Sequence, residues 1–83
     1  MKLVVYNSRS LKALRLMPEP TAARIRLKIE HYARDPKSLS GNVRKLQGRA
    51  GYRLRIGDYR VIFDESGTVL DILDIGHRSS IYE

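Results

Sequence analysis

The chain has 83 residues, with 16 Lys plus Arg against 9 Asp plus Glu, a formal net charge of +7 and no cysteine. A chain this short supports one hydrophobic core, so a single domain over residues 1–83 is expected, and the lack of cysteine removes disulfides and thiolate metal sites, a pattern that fits the cytoplasm. No run approaches the roughly 18 apolar residues of a membrane span, and the excess of cations points to nucleic acid or an acidic protein as partner.

The first apolar run, Leu3-Val4-Val5-Tyr6 within residues 2–6, predicts a short strand. Ser8 is a suitable N-cap for a helix from about Arg9 to Met17, with Leu11 and Leu14 as a narrow apolar stripe. Pro18-Glu19-Pro20 breaks the chain, because the residue before a proline is pushed out of the helical region. A second helix follows from Pro20 or Thr21 to Arg34. Its Ala22, Ile25, Ile29, Tyr32 and Ala33 share one face at spacings of three and four. Asp35-Pro36 ends it. Residues 35–50 read as a polar, basic, turn-rich loop anchored by Val43 and Leu46, and they include Arg44 and Lys45.

Tyr52 to Phe63 reads as two strands joined at Gly57-Asp58, where glycine tolerates the positive φ of the first turn position. That turn sets the register: Ile56 faces Tyr59, Arg55 faces Arg60, Leu54 faces Val61 and Arg53 faces Ile62. Side chains alternate between faces. Tyr52, Leu54, Ile56, Tyr59, Val61 and Phe63 then form a core face, and Arg53, Arg55 and Arg60 fall on the other. Asp64-Glu65-Ser66-Gly67 turns the chain again, and Thr68 to Ile75 forms a further strand. Its near-continuous apolar run suits a position inside the sheet. The order β-α-α-β-β-β predicts an α+β domain, with both helices on one face of a mainly antiparallel sheet of three or four strands and the arginine face open.

The chemistry follows from that open face. There is no P-loop, Rossmann glycine pattern or zinc spacing, and no cofactor or metal is expected. His31 reads as a boundary residue of the second helix. Arg78, just past the last strand, can return to the surface of Arg53, Arg55 and Arg60. Arginines hold phosphate through paired, planar hydrogen bonds and stabilise charge that develops on it. Tyr82 is a platform for a base, and His77, as a histidine, is the candidate for proton transfer. These parts suit metal-free RNA cleavage, in which the ribose 2′-hydroxyl attacks its own phosphate. From chemistry alone, such a cluster reads as a binding surface before it reads as a cutting one.

Taken together, Asp35-Pro36, Arg44-Lys45-Leu46-Gln47-Gly48, Tyr52 to Phe63, and Ile75-Gly76-His77-Arg78 followed by Ile81-Tyr82 give a chain that resembles the RelE/ParE superfamily of bacterial toxins over nearly its whole length. The resemblance implies the fold reached above. It also implies a growth-inhibiting toxin held in a hetero-oligomer by a cognate acidic antitoxin. RelE-type members cleave mRNA on the ribosome without metal, whereas ParE-type members poison DNA gyrase. On the RelE-type reading, which the match of Arg60, Arg78 and Tyr82 favours, the family's site positions fall by motif on Arg53, Arg55, Arg60, Arg78 and Tyr82; Arg60, Arg78 and Tyr82, with His77 added from its chemistry as the proton-transfer candidate, are the catalytic candidates. Arg53, Arg55, Arg44 and Lys45 become the RNA-holding ones. The hairpin positions that carry lysine in the best-known member carry arginine here. Arginine is a poor general base, because its guanidinium holds its proton throughout the physiological range.

Overall fold

The computed structural model describes residues 1–81. In chain order it contains β1 (Leu3–Tyr6), α1 (Ser8–Arg15), α2 (Glu19–Arg34), a 3₁₀ segment (Pro36–Asn42), β2 (Val43–Lys45), β3 (Tyr52–Ile56), β4 (Tyr59–Ser66) and β5 (Val69–His77). The strands form a five-stranded sheet in the order β1-β5-β4-β3-β2, with β1 parallel to β5 and the other neighbours antiparallel. The α+β class, the element order and the helix-covered sheet follow the expectation. The additional strand is β2. Its three residues, Val43-Arg44-Lys45, are too few to show an apolar alternation, so its pairing with β3 exists only once the chain has folded.

The second helix buries the predicted face: Ala22, Ile25, Ile29, Tyr32 and Ala33 are all buried. They pack on Leu54, Ile56, Val61, Phe63, Leu70, Ile72 and Ile75 from the sheet. Phe63 is centred among aromatic rings, 5.1 Å from the Tyr32 ring and 5.5 Å from the Tyr52 ring. Tyr32 also ties α2 to β4, donating from its hydroxyl to Glu65 Oε1 at 2.6 Å.

The first helix departs from its sequence reading. Asn7 rather than Ser8 is the cap: its Oδ1 accepts the Ser10 N–H at 2.9 Å. Asparagine and serine cap about equally well. Tertiary bonds decide between them, because Asn7 also donates from Nδ2 to the Leu73 carbonyl at 2.9 Å and from its backbone to that of Ile72 at 3.2 Å. The helix is also rotated. Leu11 is 42% exposed, while Ser10 is fully buried and donates from Oγ to the Ile72 carbonyl at 2.9 Å. The stripe facing the sheet is therefore Ser10 and Leu14.

The hairpin register agrees at every pair from Arg53–Ile62 to Ile56–Tyr59, and Gly57 has φ +57°. The next turn is shorter than predicted. Strand β4 runs on through Ser66, and Gly67, at φ +59°, opens the bend into β5. Lengthening the strands brings Glu65 into the sheet opposite Leu70, on the helix side. Strand β5 lies between β1 and β4, which explains its apolar run. Between the Ile62–Asp74 and Phe63–Ile72 pairs the register shifts, with Leu73 as the extra residue. Such a bulge resets the alternation of side chains. It lets Ile72 and Ile75, three positions apart, both face the core.

Candidate functional site

Directly opposed residues in a ladder project from the same face of the sheet. Arg44 pairs with Arg53, Arg53 with Ile62, Arg55 with Arg60 and Arg60 with Gly76. Arg44, Arg53, Arg55 and Arg60 thus share the face turned away from the helices. Two of these pairs, Arg44–Arg53 and Arg55–Arg60, set like charges directly across from each other, an arrangement that opposes folding. The sequence shows only the second, because nothing in residues 43–45 marks a strand. Lys45 pairs with Tyr52 and so has helix-side parity. It nonetheless borders a hollow of about 390 Å³ together with Arg44, Gln47 and Arg53.

The Gly57-Asp58 turn collects further cations. Arg60 donates from Nη1 to the Gly57 carbonyl at 3.4 Å and to its neighbour Tyr59 at 3.3 Å. Arg78 donates its backbone N–H to the Asp58 carbonyl at 2.8 Å, and its Nε lies 3.5 Å from Asp58 Oδ1. The expected return of Arg78 to the hairpin therefore occurs at the turn, where its guanidinium stays 63% exposed. Arg60 and Arg78 are brought to the same two-residue connection from β4 and from the segment after β5.

His77 occupies the other side of the sheet. It pairs with Tyr59, a core-face residue, and meets that ring edge-on at 5.5 Å between centroids. Its Nδ1 accepts the Ser79 N–H at 3.2 Å and lies 2.8 Å from Ser79 Oγ. A backbone N–H can only donate, so Nδ1 is the acceptor and the neutral ring carries its proton on Nε2. The period-two alternation that gathers the arginines is what separates His77 from Arg60: they are on adjacent strands at positions one pair out of phase.

The open face also holds apolar residues: Ile62, which the alternation does not mark as core, and Leu46, the expected anchor of the loop. Ile62 is 1% exposed and Leu46 4%, both apart from the helix-side core. After β5, Ser80 and Ile81 donate their N–H groups to the His77 carbonyl, forming a tight turn. That turn seats Ile81 against Gly76, where an added Cβ would lie 3.4 Å from Ile81 Cβ. Gly76 is the cross-strand partner of Arg60, so the C-terminal turn comes down beside the arginines. Tyr82 lies outside the described residues.

The ParE toxin family of type II toxin–antitoxin (parDE) systems matches residues 4–82. The chain belongs to that family. Among solved structures, the toxin superposes on the RelBE2 toxin–antitoxin complex of Mycobacterium tuberculosis with TM-score 0.76 and 22% identity, over 93% of this chain and 98% of that one. It is similar to the archaeal RelE–RelB complex of Pyrococcus horikoshii OT3, with TM-score 0.73 and 27% identity over 96% and 98%. It also matches the intact RelBE complex of E. coli, with TM-score 0.75 and 18% identity over 93% and 96%. No curated protein sequence matches it significantly. The toxin is therefore a RelE/ParE superfamily member with the RelE-like fold.

Proposed function

We propose that this toxin is a metal-independent, ribosome-dependent mRNA endonuclease of the cytoplasm that halts translation. The observation that carries the reading is the shared open face of Arg44, Arg53, Arg55 and Arg60, with Arg78 at the adjoining turn. A surface that sets two pairs of arginines directly across from each other suits an anion of high charge density, and RNA phosphate is one. In this reading Arg60 and Arg78 bind the scissile phosphate and stabilise its developing charge. Arg53, Arg55, Arg44 and Lys45 hold the backbone, and Tyr82 positions the nucleotide beside the cut. His77 is left out of the phosphate site, since its ring lies on the opposite face and its Nδ1 is engaged by Ser79. The partner that restrains the toxin is an acidic antitoxin, as the solved relatives are complexes of RelE with RelB.

A second reading is gyrase inhibition, supported by the ParE family match. Purified toxin in a cell-free translation system separates the two. Cuts in translated mRNA and arrest of synthesis are expected for the nuclease. Undisturbed translation, with inhibition of purified gyrase, would transfer the proposal to the second reading.

A further inference from the structure

The loop between β2 and β3 brings a neutral polar residue to the arginine face. Leu46 follows β2 directly and is 4% exposed. Its N–H donates to the Gly51 carbonyl at 3.0 Å, so residues 46–51 form a closed loop. The far end of that loop is fixed as well, because Gly51 is buried and an added Cβ would meet the Phe63 carbonyl at 3.0 Å. Gln47 is the first residue past the buried Leu46. It borders the hollow of about 390 Å³ at the Arg44–Arg53 pair. Ligand pockets begin at about 300 Å³, so a hollow of this size has room for a base as well as a phosphate.

We propose that Gln47 reads an adenine base in this hollow, its Nε2 donating to N7 and its Oε1 accepting from the N6 amine, while Arg44 and Arg53 hold the flanking phosphates. Arginine and lysine side chains only donate, whereas a glutamine amide donates and accepts side by side. Among the described residues that line the hollow, Gln47 alone has a side chain that accepts. Arg44, Lys45 and Arg53 therefore suit phosphate, or the guanine edge that presents two acceptors. A base edge that carries an amine needs Gln47. Adenine offers that amine beside the acceptor N7, and a glutamine amide matches the pair in one plane. Cytosine offers a similar edge on a smaller ring that fills less of the hollow. Single-stranded RNA leaves such edges open to side chains. The proposal rests on the RNA reading of the arginine face and names the base that this face takes.

The test is binding of a short labelled oligouridine with one central adenosine to the purified toxin, read by fluorescence anisotropy. Comparison probes carry uridine, guanosine, cytidine, purine riboside (which lacks the amine) or 7-deazaadenosine (which lacks N7) at that place. The adenosine probe should bind on the order of tenfold more tightly than each of the others. Gln47→Leu should remove that preference and leave the all-uridine probe unchanged, with circular dichroism confirming the fold. Arg44→Ala should weaken every probe in parallel, reduce the salt dependence and leave the preference in place. Equal binding of the adenosine and uridine probes, a preference for guanosine or cytidine, or full binding of either altered adenosine would overturn the proposal. So would a preference that survives Gln47→Leu, a loss of the all-uridine probe in that variant, or no binding of any probe. The readout involves no cleavage, so the two readings fail separately. Cuts in translated mRNA without an adenosine preference would refute the base contact alone. An adenosine preference in a toxin that spares mRNA and inhibits gyrase would refute the nuclease alone.

Discussion

The Tyr32 hydroxyl on α2 donates a 2.6 Å hydrogen bond to Oε1 of Glu65 on β4. It joins the long helix α2 to the sheet through a part-buried contact, with Tyr32 7% exposed and its ring packed on Phe63. Tyr32→Phe keeps the ring and deletes the donor. The expected cost is about 1–2 kcal/mol, since the acceptor is a carboxylate, with the midpoint of a urea unfolding curve falling and its slope unchanged.

The same contact makes stability depend on alkaline pH. Burial, and then the hydrogen bond to Glu65, push the Tyr32 hydroxyl well above its ordinary value. Tyr6 is raised in the same direction by burial and by Glu30. An unfolded tyrosine releases its proton near pH 10, whereas the folded one retains it. Above that pH the native state holds more protons than the unfolded state, so stability falls as pH rises. The contribution is fully present below about pH 10, and the loss is at most about 1.4 kcal/mol per pH unit for each such tyrosine. Urea curves recorded from neutral pH upward should show this decline, and Tyr32→Phe should make it shallower.

Ser10 is the buried polar residue of the helix–sheet interface. Ser10→Ala removes the bond from its Oγ to the Ile72 carbonyl. That carbonyl keeps the Asn7 N–H as a donor, so it is not orphaned and the cost should stay near 0.5–1.5 kcal/mol, by about the net worth of one hydrogen bond. A thermal melt measures it. A loss well beyond that range would mean that Ser10 also sets the position of α1.

The arginines should divide by role. Removing a donor that acts in the transition state costs on the order of 10²–10³ in rate. Arg60→Ala or Arg78→Ala should therefore abolish single-turnover mRNA cleavage even on saturating ribosomes. Arg53→Ala should be partly rescued by more protein and should lower the salt dependence of binding. The Arg78–Asp58 pair is exposed on both sides, so Asp58→Asn should change stability by less than about 1 kcal/mol. A folded Arg60→Ala, Arg78→Ala double variant with full toxicity would end the nuclease proposal.

Much of the fold was legible because strong local signals agreed with one another. The apolar spacing of Ala22, Ile25, Ile29, Tyr32 and Ala33 specified the buried face of α2. Gly57-Asp58 specified a turn, and a turn of known length fixes every pair of the hairpin it closes. From that register the placement of Arg53, Arg55 and Arg60 on one face was a matter of counting. Leu11 misled because an apolar residue on a short helix looks the same whether its face meets the sheet or solvent. Ser10 stayed hidden because nothing in a serine signals burial.

The remaining features have no local signal at all. Residues 43–45 become a strand only because β3 offers them an edge, and that pairing turns Arg44 from a loop cation into a member of the arginine face. The bulge at Leu73 rephases β5 only against a formed β4. The two faces are separated by one step of the pleat, which puts Arg60 with Gly76 and His77 with Tyr59. The sequence by itself determined the element order, the hairpin register and the charge of the open face, since these follow from spacing along the chain. Only the tertiary structure decided which cations share that face and which side His77 takes, because those depend on contacts between segments far apart in the chain.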